Sequence, residues 1–220
     1  MVYETYAKDQ DWTVYYLDAE GYTVDQFREF KEALGDWARR DHVMYESCLD
    51  FACGYGRFGK HMCQYAKKIT FADIRKDAVD MCRLRFNMYK NSNVQTNDLA
   101  NCDYDYVQNT ESHIPLPDGS ISFFYSWDAM VHFEVKELRA TFNEVARVLR
   151  SGGRGAFQHS NLKNTGEPQG FWHANHGSRS WVSMEEVGQM LADVGLKVVR
   201  QTTIDRGLPK LDAVTLFEKI

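Results

Sequence analysis

The sequence predicts an α/β fold, a doubly wound and mostly parallel seven-stranded sheet with an antiparallel final strand. Short apolar runs alternate with amphipathic stretches from residue 47 onwards. Strands that alternate with helices form parallel sheets. A glycine-rich turn, with Gly54, Gly56 and Gly59, follows the first apolar run. The last two runs are only about ten residues apart, too close for a parallel crossover, so we expect that pair to be antiparallel.

The predicted elements follow one another in a regular order. Thr23 and Gln26 form a capping-box pattern at the start of a helix over residues 24–40. Apolar runs predict strands over residues 47–51, 69–73, 93–97, 121–126, 154–159, 196–202 and 212–219. Helical spacing predicts helices over residues 56–66, 77–89 and 135–149, the last of them ended by Ser151-Gly152-Gly153, and a further helix capped by Ser183 and Glu186. Residues 99–119 are polar and broken by prolines, so only a loop or a short helix fits there.

Composition limits the classes of function that the chain can have. Its 220 residues, 44% hydrophobic and 26% charged, suffice for one domain with a full core. A net charge of -5 argues against a nucleic-acid partner, because phosphate binding needs a basic surface. No apolar run approaches the ~20 residues that span a bilayer, and the N-terminus has no signal-peptide core. We expect a single cytoplasmic domain over residues 1–220 that does not contact membranes.

The cysteines and histidines do not predict a metal site or disulfides. Five cysteines at irregular spacing, with no Cys-x-x-Cys pair, are typical of reduced thiols. His159, His173 and His176 could approach one another, but no nearby cysteine or acid completes a ligand set. We therefore expect no metal.

The glycine turn predicts an adenosine-containing cofactor. Glycine lets a ligand lie against bare backbone, and the helix that follows presents unpaired N–H groups. Asp73 ends the next apolar run and can accept hydrogen bonds from two ribose hydroxyls. Gly54-x-Gly56-x-x-Gly59 with Asp73 also satisfies the fingerprint of nicotinamide or flavin enzymes. Asp50, inside the strand, favours instead a cofactor with a positively charged amino-acid end.

These residues resemble the class I S-adenosylmethionine-dependent methyltransferases over residues 45–220. Residues 49–56 are similar to the first motif of the family, with Ala52 in place of its first glycine. Residues 114–119 resemble the approach to its fourth motif, and residues 148–153 its leucine-x-proline-glycine-glycine turn. The resemblance implies a Rossmann-like fold and S-adenosylmethionine as cofactor. The cofactor residues expected from these motifs and their positions are Asp50, Ala52, Gly54, Gly56, Asp73, Ile74, Asp98, Leu99 and Trp127. Arg57 at the helix start could pair with the cofactor's carboxylate or lie in solvent.

The ends of the fourth and fifth strands carry the catalytic candidates. In open α/β sheets ligands lie beyond the carboxyl ends of the strands. His132 follows the fourth strand and His159 ends the fifth, and an unperturbed histidine pKa near ~6.5 suits proton removal. His132 could instead pack in a short helix, and His159 could be satisfied by backbone.

The segments around these strand ends carry the candidate acceptor-binding residues. They are Tyr6, Trp12, Asp128, Trp172, His173 and Arg179. Residues 1–44 form either a lid over the cofactor or packing for the first helix. Residues 160–181 form a long polar loop of a kind that is often functional. Asp128 either faces the acceptor or caps a helix.

The predicted function is transfer of a methyl group from S-adenosylmethionine to an oxygen of a small polar acceptor. A loose likeness of His159-Ser160-Asn161, Arg179-Ser180-Trp181 and Leu211-Asp212 to a bacterial subgroup indicates a saccharide or secondary metabolite. Three alternatives stay open: an N-methyltransferase acting on a small amine, an NAD(P)-dependent oxidoreductase, and a cofactor-binding partner subunit without catalysis. A homodimer is also left open.

Overall fold

The computed structural model describes residues 12–39, 44–91, 99, 101–111, 113–168 and 179–220. The strands are β1 (Cys48–Phe51), β2 (Lys68–Asp73), β3 (Asp103–Gln108), β4 (Ile121–Ser126), β5 (Leu149–Ser160), β6 (Leu196–Ile204) and β7 (Asp212–Lys219). The helices are α1 (Thr13–Glu20), α2 (Thr23–Leu34), α3 (Gly59–Met62), α4 (Lys76–Asn91), α5 (Val135–Val148) and α6 (Met184–Ala192). No helix in these ranges is long and apolar enough to cross a membrane.

The strands form one seven-stranded sheet in the order β3-β2-β1-β4-β5-β7-β6. Strands β1 to β5 pair in parallel, whereas β7 runs antiparallel to both β5 and β6. The predicted mixed sheet with its antiparallel final strand is therefore confirmed. The strand order reverses between β1 and β4, which opens a crevice at their carboxyl ends.

Apolar side chains cover both faces of the sheet. Successive residues of a strand point to opposite faces, so Phe123 and Tyr125 belong to one core while Phe124 belongs to the other. The first core includes side chains of α2, α3 and α4, and the second includes side chains of α5 and α6. Every residue of β4 is buried, as expected for a central strand of a parallel sheet.

The N-terminal part differs from the prediction in its capping and its length. Helix α2 ends at Leu34 and a 3-10 turn covers Gly35–Ala38, while the short helix α1 was not predicted. The predicted capping box at Thr23 is wrong, because the Thr23 hydroxyl donates to the carbonyl of Ala19, 2.7 Å away. The preceding helix supplies that carbonyl, and a threonine in this setting bonds backwards. The capping box at Ser183 and Glu186 is confirmed.

The third strand lies later in the chain than predicted. Strand β3 falls inside residues 99–119, which the sequence predicted as loop, whereas residues 93–97 lie outside the described residues. Strand β3 is at the edge of the sheet, and its residues are exposed or half-buried. An edge strand can be polar on its open side, so the apolar-run criterion does not detect it. Half-buried Tyr104 and Tyr106, two residues apart, stack on Phe71.

Helix α5 ends earlier than predicted, before the Ser151-Gly152-Gly153 turn that the sequence suggested as its C-terminal cap. Helix α5 ends at Val148, and β5 begins at Leu149 and runs through both glycines. Lys219 Nζ, not a glycine cap, donates to the carbonyls of Ala146 and Leu149 at 2.6 and 2.8 Å. The predicted division of the single domain into an N-terminal part, residues 1–44, and a cofactor-binding core, residues 45–220, stays a prediction.

Replacing Gly59 by alanine is expected to destabilise the fold by about 1–3 kcal/mol, the usual range for overpacking a core. A Cβ on Gly59 would come within 2.3 Å of Phe71 Cε1, and Phe71 is fully buried against Phe86. Urea denaturation measures the effect. Gly188→Ala in α6 is the matched control, because its nearest neighbours lie at 3.7 Å. Alanine there should stabilise the helix by up to about 1 kcal/mol. Equal effects of the two changes would contradict the packing argument.

Candidate functional site

A cavity of about 280 Å³ lies at the carboxyl ends of β1, β2 and β4. Of the predicted site residues, it is lined by Trp12, Asp50, Ala52, Gly54, Arg57, Asp73, Ile74, Trp127, Asp128, His132 and Arg179. Tyr6, Asp98, Trp172 and His173 lie outside the described residues. Residues that are far apart in the chain thus meet at the crevice where the strand order reverses.

The turn after β1 has a left-handed backbone at alternate positions. Ala52, Gly54 and Gly56 have φ values of 53°, 53° and 74°. A Cβ on Gly54 would come within 2.9 Å of the Tyr16 ring, so this turn requires a bare backbone. Gly56 faces the core, where an added Cβ would lie 2.8 Å from Phe86, and it is absent from the described lining of the cavity. We therefore correct its predicted role from cofactor contact to close packing.

Asp73 ties the glycine turn to β2. Its Oδ2 accepts a hydrogen bond from the backbone N–H of Gly54, and its Oδ1 accepts one from that of Arg75, both at 2.9 Å. The residue is 5% exposed. Burial raises the pKa of Asp73 to about 6, although the two backbone donors lower it in part. The carboxylate thus orders the turn and also borders the cavity.

Asp50 contributes a buried oxygen that no described group satisfies. Asp50 Oδ2, the Tyr125 hydroxyl and Trp127 Nε1 make no hydrogen bond of good geometry among the described residues, although the Tyr125 hydroxyl lies close enough to Asp50 to lower the pKa of its carboxyl in part. Burial raises the pKa of Asp50 well above its usual range. Leaving such groups unpaired is costly, and native proteins rarely do so without a ligand or water. The carboxyl group suits an ammonium group, which fits the amino-acid end of the predicted cofactor.

The carboxyl end of β3 carries residues that the sequence analysis missed. Asn109, Thr110 and Glu111 line the cavity directly after this strand, and Asn109 is 6% exposed. Asn109 Oδ1 has no partner in the described part of the chain, so it can accept from an amino group. The alternation of Tyr104 and Tyr106 was the signal that could have revealed the strand and hence its end.

The prediction for strand three placed Asp98 and Leu99 at its carboxyl end. Asp98 lies outside the described residues, and the placement of Leu99 is wrong because it precedes β3, whose first residue is Asp103. Leu99 packs against the first core, and its carbonyl accepts from the Tyr104 hydroxyl at 2.8 Å.

Only one of the two catalytic candidates lies on the cavity. His132 ends the 3-10 turn Met130–His132 after β4, is half-buried and lines the cavity. His159 is fully buried and does not belong to the described lining. Its Nδ1 donates to the carbonyl of Ser160 at 2.7 Å, and its Nε2 lies 2.8 Å from Thr215 Oγ1. Burial lowers the pKa of His159 to about 4. The placement of His159 thus contradicts the expectation that it faces the cleft.

Arg57 and Asp128 form an ion pair on the wall of the cavity. Arg57 Nη2 lies 2.9 Å from Asp128 Oδ2, and the guanidinium also lies over the rings of Tyr22 and Phe58. Arg57 is therefore not in solvent. Asp128 has a φ of 59° and is not a helix cap, since Glu134 precedes α5. The helix-cap alternative for Asp128 is wrong, and its carboxylate faces the cavity region.

Aromatic residues of α1 and of the position before it border the cavity on the side of the glycine turn. Trp12, Tyr15 and Tyr16 line it, and Tyr16 packs on Tyr55 with a centroid distance of 4.5 Å. Helix α1 is attached to α4 by Glu20, whose Oε2 accepts from Arg85 Nη2 at 2.9 Å. This placement suits the lid that the sequence suggested. Within the described ranges no group of three or more His, Cys, Asp or Glu residues could hold a metal ion, and all five cysteines are free and buried.

Comparison with known proteins finds similarity to one protein family and to a curated relative. A family model described as "Methyltransferase domain" matches residues 48–153. An uncharacterized methyltransferase of Schizosaccharomyces pombe is 28% identical over 116 residues. That match covers 49% of this chain and 36% of the relative, so the chain matches about a third of the length of that protein.

Solved structures share the fold at low identity. A SAM dependent methyltransferase from Aquifex aeolicus is 17% identical with a TM-score of 0.59, over 82% of this chain and 86% of that one. Geranyl diphosphate C-methyltransferase from Streptomyces coelicolor, solved with S-adenosyl-L-homocysteine, is 13% identical with a TM-score of 0.64, over 88% and 77%. The matched family model spans β1, the glycine turn and Asp73, which build the cavity, so this part of the chain is similar to a methyltransferase domain.

Proposed function

We propose that this chain transfers the methyl group of S-adenosylmethionine to an oxygen of a small polar acceptor, such as a saccharide or secondary metabolite. The observation that carries the proposal is the position of His132 on the cavity wall, just after β4 and four residues beyond Asp128. A hydroxyl must lose its proton as it is methylated, and histidine is the side chain best suited to take it near neutral pH.

The residues around the cavity fit the cofactor. Asp73 would hold the ribose hydroxyls, the unsatisfied Oδ2 of Asp50 would accept from the ammonium group, and Asn109 Oδ1 would accept from the adenine amino group. Ile74 and Trp127 would pack beside it, and Arg57 on the cavity wall would pair with its carboxylate. When bound, S-adenosylmethionine supplies an electrophilic methyl group on a good leaving group.

The protein's own contribution is then alignment, exclusion of water and removal of one proton. The aromatic side chains of Tyr15, Tyr16 and Trp127 line the cavity and would exclude water from around the acceptor. Holding the two reactants in line supplies much of the rate enhancement in such transfers. His132 would accept the hydroxyl proton, a contribution that is typically 10²–10⁴-fold.

The affinity for S-adenosylhomocysteine is expected to fall below pH 6. Ribose hydroxyls donate to the ionised carboxylate of Asp73, whose pKa in the free protein is about 6. At lower pH the carboxyl holds a proton that must leave before binding, so affinity should drop by up to about tenfold per pH unit. Titration calorimetry between about pH 5 and 8 measures this. Asp73→Asn should abolish this fall in affinity at low pH. If the fall persists in that variant, another titrating group causes it.

One experiment tests the proposed function against its alternatives. The purified protein is incubated with S-adenosylmethionine and a panel of hydroxyl and amine metabolites, and mass spectrometry locates the added methyl group. A methyl ether supports the proposal, whereas an N-methyl product supports the amine alternative, which the carboxylates of Asp128 and Glu137 on the cavity wall favour. Tight binding of NADH but not of S-adenosylhomocysteine would overturn both. A protein that binds the cofactor and methylates nothing in the panel would point to the partner-subunit alternative.

A further inference from the structure

Glu137 brings to the cavity a carboxylate oxygen that none of the contacts described above uses. It lies in the first turn of α5, is half-buried and lines the cavity. Its Oε2 is buried and makes no hydrogen bond in the described part of the chain. A buried carboxylate oxygen without a donor costs free energy, and native proteins keep one chiefly where a ligand or a water donates to it. Glu137 thus indicates a ligand group that donates a hydrogen bond at this place.

The contacts of α5 place Glu137 beside the end of β3. Glu144 Oε2 accepts from the backbone N–H of Ile114 at 2.8 Å, and Arg147 Nη1 donates to the carbonyl of Leu116 at 2.7 Å. The chain that follows β3 therefore runs along α5 in the same direction as the helix. Glu137 lies on the same face as Glu144, two turns earlier and about 10 Å back along the helix axis. Since an extended residue spans about 3.3 Å, that distance reaches back from Ile114 to the residues that directly follow β3.

Asn109 directly follows β3 and offers a second acceptor at this end of the cavity. Its Nδ2 donates to the carbonyl of Thr110 at 3.1 Å, which fixes the orientation of the amide, and its Oδ1 is buried without a partner among the described residues. Both Asn109 and Glu137 line the cavity. Two hydrogen-bond acceptors at one end of a cavity match a primary amino group on a planar ring, which has two N–H donors. A ring carbonyl at the same place would meet acceptor oxygens instead of donors.

We propose that Glu137 and Asn109 each accept one N–H of the adenine amino group of S-adenosylmethionine, and that this pair makes the cofactor site specific for adenine. The inference rests on the proposed function only through its cofactor and holds for either kind of methyl acceptor. It assigns Glu137 to the cofactor, which leaves Asp128 as the carboxylate on the cavity wall for the amine alternative. Sites that hydrogen-bond an N–H group strongly reject analogues that lack it, because their buried acceptors are then left unpaired.

The test compares two thioether nucleosides that differ only at the purine. Calorimetry measures the affinities for S-adenosylhomocysteine and for S-inosylhomocysteine, which has a 6-oxo group in place of the amino group. We expect the parent protein to bind the first about a hundredfold or more tightly, because two hydrogen bonds are lost in the second. Glu137→Gln should lower this ratio by about tenfold or more, since its amide N–H can donate to the 6-oxo group and a carboxylate cannot. The affinity of this variant for S-inosylhomocysteine should therefore rise, a gain that a purely structural role of Glu137 would not produce.

Two further variants separate this role from a structural one. Glu137→Leu removes the acceptor and should weaken the binding of S-adenosylhomocysteine by about tenfold, while its melting temperature shows whether the fold survives. Glu46→Gln neutralises an exposed carboxylate that pairs with Arg150 and should leave the ratio unchanged. A ratio below about threefold in the parent, or an equal ratio in Glu137→Gln, would overturn this inference alone. Failure to bind either nucleoside would reject the cofactor, and the proposed function with it.

Discussion

Asp73→Ala should weaken the binding of S-adenosylhomocysteine by roughly a hundredfold or more. The change removes the acceptor for ribose hydroxyls and leaves the backbone N–H groups of Gly54 and Arg75 without their partner. Hydrogen bonds to a charged group each contribute about 1.5–3 kcal/mol, and about 2.8 kcal/mol corresponds to a hundredfold change in affinity. Isothermal titration calorimetry at neutral pH measures the effect.

The matched control for this loss is Asp80→Ala. Asp80 lies on α4, only seven positions along the chain, but its carboxylate pairs with Arg83 on the exposed side of that helix. Its loss should change the affinity for S-adenosylhomocysteine less than twofold, within the usual effect of a surface substitution. The melting temperature of both variants shows whether the fold survives. An Asp73→Ala protein that folds and binds S-adenosylhomocysteine as tightly as the parent would remove the basis of the cofactor assignment.

His132→Ala should slow methyl transfer to a hydroxyl acceptor by about 10²–10⁴-fold, the range for loss of a general base. The affinity for S-adenosylhomocysteine should stay within about threefold of the parent, because the cofactor contacts that we propose come from other residues. Single-turnover rates with labelled S-adenosylmethionine measure the first quantity, and calorimetry measures the second. A fall in rate together with unchanged cofactor affinity is the signature of a group that acts in the chemical step.

His159→Gln is the natural companion variant. His159 is buried between Ser160 and Thr215 rather than on the cavity, and glutamine can replace both of its hydrogen bonds. We expect a change in stability with less than about a threefold change in rate. If His132→Ala leaves the rate intact, His132 is not the base, and an amine acceptor, which loses its proton more readily, becomes the better hypothesis.

The two histidines show where inference from sequence stops. His132 follows β4 and His159 lies near the end of β5, so both were candidates for the cleft. On a strand, successive side chains point to opposite faces, and a one-residue difference in register sends a side chain into the core. The pairing of His159 with Ala213 between β5 and β7 sets that direction, and the two partners are 54 residues apart. Local patterns do not contain this information.

The sequence analysis misplaced strand β3 for a related reason. Apolar runs identify buried central strands such as β4, which was predicted with its exact limits, Ile121–Ser126. An edge strand is held by one neighbour and is open on its other side, so its residues are free to be polar. Because this strand was misplaced, the sequence analysis named Asp98 as the residue for the adenine side. In the structure Asn109, which follows β3, lines the cavity.

The sequence by itself determined the class of fold, the antiparallel end of the sheet, the glycine turn and Asp73. Each of these depends on local features: alternating apolar periods, a connection too short for a crossover, and backbone angles that favour glycine. Only the tertiary structure decided which polar residues meet at the cavity, since Asp50, Asn109 and Glu137 reach it from β1, from the end of β3 and from α5. Long-range register sets such contacts, and one sequence does not encode register in any short stretch.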